Sequence, residues 1–99
     1  MIKTGGENVP TREVEEAIYL DKRVQEVAVI GLPDPKWVEA VTAVIVLKAG
    51  QKMTEEEVVA HCRKELATFK CPKRVIFMDA LPKTPTGKIL KRELRQSLK

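Results

Sequence analysis

The sequence predicts an α+β domain, with a small three-stranded sheet, antiparallel or mixed, flanked by about three helices. Three observations carry this expectation. Val27–Ile30 and Val41–Leu47 are short runs of β-branched and apolar residues, with the length and composition of buried strands. Residues 10–21 and 54–66 instead space their apolar residues to make one face of a helix. Finally, 99 residues, 43% hydrophobic and 32% charged, suit one globular domain with a single modest core and are too few for two.

From the start, Met1–Thr4 reads as the end of a strand. Gly5-Gly6-Glu7-Asn8 reads as a turn-prone loop, because paired glycines reach backbone conformations closed to other residues. Pro10 suits a first helical turn, and Val14, Ala17 and Ile18 form that helix's apolar stripe. The strand at Val27–Ile30 is bounded by Gly31-Leu32-Pro33-Asp34-Pro35. The strand at Val41–Leu47 closes on the turn Lys48–Gln51. The short gap between the two allows an antiparallel pair, and a longer excursion through Trp37 remains open.

Thr54-Glu55-Glu56-Glu57 is a capping box. The Thr54 hydroxyl accepts from the Glu57 amide while the Glu57 carboxylate accepts from the Thr54 amide. Val58, Val59, Cys62 and Leu66 give the helix that follows its apolar face, with His61 at the boundary. Pro72 disfavours helix at Cys71, so Phe69–Pro72 is a loop. Val75–Met78 is the third strand. Leu81–Gly87 holds two prolines and a glycine and reads as a loop of restricted backbone. Ile89, Leu90, Leu94 and Leu98 line a terminal helix, with Lys91, Arg92, Arg95 and Gln96 on its outer face.

Aromatic residues are 4% of the chain, so Val, Ile, Leu and Ala must fill the core. No apolar run reaches the length of a bilayer span and the N-terminus is not a signal peptide, which predicts a cytoplasmic protein. Cys62 and Cys71 do not form a CxxC pair. With the single His61 they fall short of a metal site and read as reduced structural thiols.

Charge is uneven. Residues 70–99 hold nine Lys or Arg, Lys99 among them, against two acids, while the other 69 residues carry a net −3 within the total of +4. A basic third of this kind fits an anionic partner, phosphate or nucleic acid. A nucleic-acid module would need stacking aromatics on a sheet or a recognition helix, and neither pattern is present.

No GxSxG, no catalytic Cys–His spacing and no Walker A motif occurs. Gly87-Lys88 looks like the tail of a phosphate loop, but the preceding glycines are missing and Ile89 stands where a magnesium-binding Ser or Thr is needed. What remains is Lys88, displayed at the end of Thr84-Pro85-Thr86-Gly87. A lysine held there suits neutralisation of a developing oxyanion or phosphate.

Four stretches in order resemble the C-terminal domain of the adenylate-forming superfamily, which includes acyl-CoA synthetases, peptide-synthetase adenylation domains and luciferases. They are Ile2–Val9 (IKTGGENV), Val29–Asp34 (VIGLPD), Phe69–Lys73 (FKCPK) and Leu81–Ile89 (LPKTPTGKI). The GGENVP-type loop is most similar to free-standing fatty-acid or aromatic-acid CoA ligases. The resemblance implies that residues 1–99 are one C-terminal domain whose partner, a large N-terminal adenylate-binding domain, is absent. It further implies a ligase acting with ATP, Mg2+ and CoA on a carboxylic acid, with the isolated domain inactive. On the same resemblance, Lys88 is the catalytic lysine of adenylation, and Gly5 and Gly6 help build the CoA pantetheine tunnel. Lys3 and Asn8 fall at positions that touch adenylate or CoA in some relatives. A carrier-protein thiol is the alternative acceptor. Many relatives have Gly where this chain has Val38, a departure that bears on any tight turn at Trp37–Glu39.

Overall fold

The computed structural model describes residues 1–98, and Lys99, one of the nine cations of the basic third, lies outside the described residues. The two apolar runs at the centre of the sequence decide the architecture. β3 (Val24–Asp34) and β4 (Val38–Leu47) form a long antiparallel hairpin in which Val27 faces Ile45, Val29 faces Ala43 and Gly31 faces Val41. Both strands extend beyond the expected runs. Gly31-Leu32-Pro33-Asp34 continues β3 instead of ending it, and the excursion through Trp37 shrinks to a tight connection. The Asp34 carboxylate closes that connection by accepting from the amides of Lys36 and Trp37, at 2.8 and 3.0 Å.

The sheet has five strands, not three. β1 (Ile2–Thr4) and β2 (Glu7–Val9) form a small antiparallel hairpin, joined to β4 through the pairing of Thr4 with Val38. Glu7 and Asn8, expected in a loop, therefore belong to β2. β5 (Arg74–Phe77) pairs with β4 in parallel, so the sheet is mixed. A parallel neighbour needs a crossover connection, and α2 (Glu55–Glu65) with a 3-10 turn at Thr68–Lys70 supplies it.

Continuous apolar strands require cover on both faces, and the structure provides it. One face packs Val27, Val29, Val41 and Ile45 against Val14 and Ile18 of α1 (Thr11–Tyr19) and Val58 and Cys62 of α2. The other face packs Ala28, Ile30, Leu32 and Val44 against Leu81, Ile89 and Leu94, from the C-terminal loop and α3 (Lys91–Ser97). Each fully buried Val, Leu or Ile contributes about 1.5–3 kcal/mol. The terminal helix is shorter than the sequence implies. Ile89 and Leu90 precede it, and Ile89 forms an isolated antiparallel bridge with Lys83.

Polar contacts fix the layers. The capping box at Thr54 forms as expected, with Glu57 N–H donating to Thr54 Oγ1 at 3.2 Å and Thr54 N–H donating to Glu57 Oε1 at 2.9 Å. The free carboxylate oxygen of Glu57 accepts from Arg23 at 2.9 Å, and Arg23 also pairs with Asp21 at 2.9 Å, tying the end of α1 to the start of α2. The Arg23 hydrogen bond holds the Asp21 carboxyl well below its ordinary 3.8, at about 2. His61 Nε2 lies 2.7 Å from the Ala17 carbonyl oxygen, a helix-to-helix tether. The two thiols are free and buried, and burial pushes Cys62 up to about 11.

The outer edge of β3 is closed by α1. Val27 N–H donates to the Tyr19 hydroxyl at 3.2 Å and Val29 N–H to the Glu15 carboxylate at 2.8 Å, while Pro33 has no N–H to offer. A long edge strand with open N–H groups invites pairing with another chain, and these contacts block it.

Candidate functional site

The segment 82–90 folds as a miniature hairpin with Lys88 near its tip. Leu90 N–H donates to the Pro82 carbonyl at 2.8 Å, Lys83 bridges Ile89, and Thr84 N–H donates to the Lys88 carbonyl at 2.8 Å. The Thr84 side chain closes the tip. Its Oγ1 accepts from Lys88 N–H at 3.1 Å and lies 2.8 Å from Thr86 Oγ1. Gly87, at φ +91°, takes the left-handed conformation this turn requires. Buried Leu81 and partly buried Ile89 fasten the hairpin base to the second face of the sheet. Lys88 is exposed, and among the described residues no carboxylate lies within ion-pair distance of its ammonium.

Three other cations of the basic third are paired within the domain. Lys70 pairs with Glu13 at 2.6 Å, Lys91 with Glu15 at 2.8 Å, and Lys83 with Glu26. Lys91, expected on the outer face of the terminal helix, therefore turns back to α1. This internal pairing removes three charges from the patch that a nucleic-acid partner would use.

A second feature lies at the start of β4. Gly5 and Gly6, at φ +55° and +87°, are the two central residues of the β1–β2 turn, the pattern of a type I′ hairpin. Gly5 N–H donates to the Trp37 carbonyl at 2.8 Å. A Cβ on Gly5 would stand 3.1 Å from Trp37 Cε3, so the missing side chain allows this close approach. Between the turn and the 3-10 segment runs an open cleft of about 430 Å3, lined by Thr4, Gly5, Trp37, Phe69 and Lys73. The Lys73 ammonium sits 4.9 Å from the centre of the Trp37 ring. Val38, next to Trp37, is held at φ +72°, so the tight turn forms despite the β-branched residue.

Of the residues singled out from sequence, Gly5 and Gly6 share this turn, and Lys3 and Asn8 face each other across the β1–β2 ladder on its exposed side. Lys3 N–H donates to Glu39 Oε1 at 3.0 Å. Lys88 belongs elsewhere, on the hairpin of the opposite core cluster. Among the described residues, no hydrogen bond or ion pair links it to the glycine turn, and it does not line the cleft beside that turn. Trp37, Phe69 and Lys73 were not marked as site residues. Signals existed for all three, since Trp37 is the single tryptophan in an aromatic-poor chain and Phe69 and Lys73 stand in the FKCPK stretch, but only the fold brings them to one cleft.

The architecture has close counterparts. Residues 13–88 match the family model of the AMP-binding enzyme C-terminal domain. This chain belongs to that family. It is 49% identical over 96 residues to a long-chain-fatty-acid–CoA ligase, FadD13, of Mycobacterium tuberculosis, a match covering 97% of this chain and 19% of the relative. It is 46% identical over 101 residues to a probable peroxisomal acyl-activating enzyme 5 of Arabidopsis thaliana, covering 100% of this chain and 18% of that one. The fold superposes on the Mycobacterium tuberculosis fatty acyl CoA synthetase with a TM-score of 0.94 at 48% identity, over 99% of this chain and 19% of that one. It also superposes on the amide bond synthetase McbA of Marinactinospora thermotolerans, with a TM-score of 0.92 at 35% identity, over 98% of this chain and 20% of that chain. The chain thus spans about a fifth of the length of the relatives it matches. The shared domain is the one found in acyl-CoA ligases and other adenylate-forming enzymes, as the resemblance of the four sequence stretches implies. No helix among the described residues is long and apolar enough to cross a membrane.

Proposed function

We propose that this domain works as the mobile part of an AMP-forming acyl-CoA ligase, pairing with a large adenylate-binding domain and serving the two half-reactions with two separate surfaces. The observation that carries this reading is the separation of an unpaired, hydrogen-bond-framed Lys88 from an apolar cleft beside a side-chain-free glycine turn.

In the first half-reaction a carboxylate oxygen attacks the α-phosphorus of ATP and the bond to pyrophosphate breaks. Two anions must approach in line, and a fixed cation lowers their repulsion. Lys88 suits that task because its backbone is held by Thr84 on both sides, at the amide and at the carbonyl. Magnesium accompanies ATP in such ligases. Among the described residues no group of three His, Cys, Asp or Glu side chains converges to hold a metal, so its ligands are assigned to the larger domain or the nucleotide.

In the second half-reaction a thiol attacks the acyl carbon and AMP leaves. The cleft beside Gly5 is open, with apolar walls from Trp37 and Phe69, a cation at Lys73 and a carboxylate at Glu7. Such a channel suits the thin pantetheine arm of CoA, with Lys73 available to a phosphate. Lys3 and Asn8 lie on the exposed side of the same hairpin, where they would meet the adenylate or the CoA nucleotide. The Mycobacterium tuberculosis relative is a CoA ligase by name, and a free CoA thiol is the acceptor this reading favours over a carrier protein.

The test separates the half-reactions. In the intact ligase, Lys88→Ala is expected to slow acyl-adenylate formation, read by pyrophosphate release, at least a hundredfold. The same variant should leave thioester formation from preformed acyl-adenylate within a few-fold of the parent. Equal loss in both half-reactions would refute the assignment.

A further inference from the structure

We propose that Glu26 is a positioning residue for Lys88, acting through Lys83. The proposal rests on the reading of Lys88 given above. Glu26 lies 62 residues earlier in the chain, on β3, beside the register shift that follows Val24. Its carboxylate forms an ion pair with the Lys83 ammonium. Lys83 is the residue whose backbone bridges Ile89, so the pair acts at the base of the hairpin that ends in Lys88.

Among the described residues the hairpin's other direct contacts with the sheet are apolar, and the next residue, Lys91, is tied to Glu15 of α1. Leu81 and Ile89 pack on Ala28, Ile30 and Val44, and such contacts hold a segment down without fixing its direction. A charge-assisted hydrogen bond is directional. The Glu26 side chain is 19% exposed and that of Lys83 39%, so burial restrains the carboxylate more than the ammonium. The pair therefore sets the rotation of the hairpin about its apolar footing. Pairing also occupies the Lys83 charge, so that Lys88, five residues on, presents a single directed cation to an anionic substrate.

A partly exposed pair adds little to global stability. A small displacement of a reacting group, by contrast, costs up to about a hundredfold in rate. The two roles are thereby separable. In the intact ligase, Glu26→Gln is expected to lower kcat for acyl-adenylate formation about tenfold or more, with the KM for the carboxylic acid nearly unchanged. Thioester formation from preformed adenylate should be unaffected, and the thermal midpoint should move by only a few degrees. The swapped pair, Glu26→Lys with Lys83→Glu, should recover most of the lost rate, which a defect unrelated to the ion pair would not allow. In the 99-residue chain, amide exchange at Thr84, whose N–H is bonded to the Lys88 carbonyl, should accelerate in Glu26→Gln and slow again in the swap.

Lys88→Ala serves as the control. If it cripples adenylation while Glu26→Gln retains the parent kcat, the positioning role is overturned and the reading of Lys88 stands. If Lys88→Ala itself leaves adenylation intact, the functional reading falls and this proposal with it. Failure of the swapped pair to recover rate, with the fold intact, also overturns the proposal.

Discussion

Replacing Val38 by glycine is expected to stabilise this domain, although it deletes an apolar side chain. Val38 sits at φ +72°, the one non-glycine residue at positive φ among those described, and β-branched residues are especially crowded there. Backbone strain of this kind costs about 1–3 kcal/mol. Two losses oppose its relief. The Val38 side chain is 70% exposed, so its burial contributes only about 0.5–1 kcal/mol. Glycine also loses more backbone freedom on folding, a cost of about 0.5–1 kcal/mol. Taking the middle of each range leaves a net gain of about 0.5 kcal/mol, which in a domain of this size raises the midpoint by about 2–4 °C. Thermal unfolding followed by circular dichroism measures it. Val38→Asn should fall between the two, since Asn tolerates the left-handed region while retaining a Cβ. The Gly5 to Trp37 hydrogen bond should persist in both variants. A lowered midpoint for Val38→Gly would refute the strain argument and show that the side chain, not the backbone, dominates at this turn.

Three further outcomes follow from named contacts. Glu15→Ala strips an acceptor from Val29 N–H and a partner from Lys91, and should cost about 2–3 kcal/mol in chemical denaturation. It should also promote self-association on size exclusion, as the β3 edge opens. Asp21 contributes to acid stability with a definite sign. Its folded pKa, about 2, lies below the ordinary 3.8, so its contribution is complete above pH 4 and is lost as the pH falls through 2. Asp21→Asn should therefore lower stability at pH 7 and flatten the decline between pH 4 and pH 2 in urea titrations at each pH. Gly5→Ala places a Cβ 3.1 Å from the Trp37 ring on a backbone at φ +55°, and should cost about 1 kcal/mol in thermal stability. In the intact ligase it should slow thioester formation more than adenylation, and the reverse order of effects would argue against a CoA channel at this turn.

Much of the fold is legible because its centre is a pair of apolar, β-branched runs of strand length, which a covered sheet buries. The capping box at Thr54 was legible because both of its partners lie within four residues. The first hairpin is not evident from periodicity, since three-residue strands show none that is usable, although Gly-Gly between two short segments is itself a hairpin signal. Ile89 was placed on a helix because its spacing to Leu90 and Leu94 fits one. A local spacing cannot show that its backbone pairs with Lys83 instead.

The candidate site divides along the same line. Lys88 and Gly5-Gly6 stand in contiguous motifs, and contiguous motifs survive as strings. Trp37, Phe69 and Lys73 form one cleft only because β4 is paired at its start with β1 and the crossover returns the chain beside that hairpin. Composition and order determined the class of domain, the two buried strands and the family, and the resemblance singled out Lys88 as the proposed residue to meet an anion. Tertiary structure decided which cations remain unpaired, that Val38 is strained, and that Lys88 and the glycine turn are held apart. Local propensity acts along a few residues of chain, whereas pairing, burial and charge neutralisation depend on neighbours that only folding supplies.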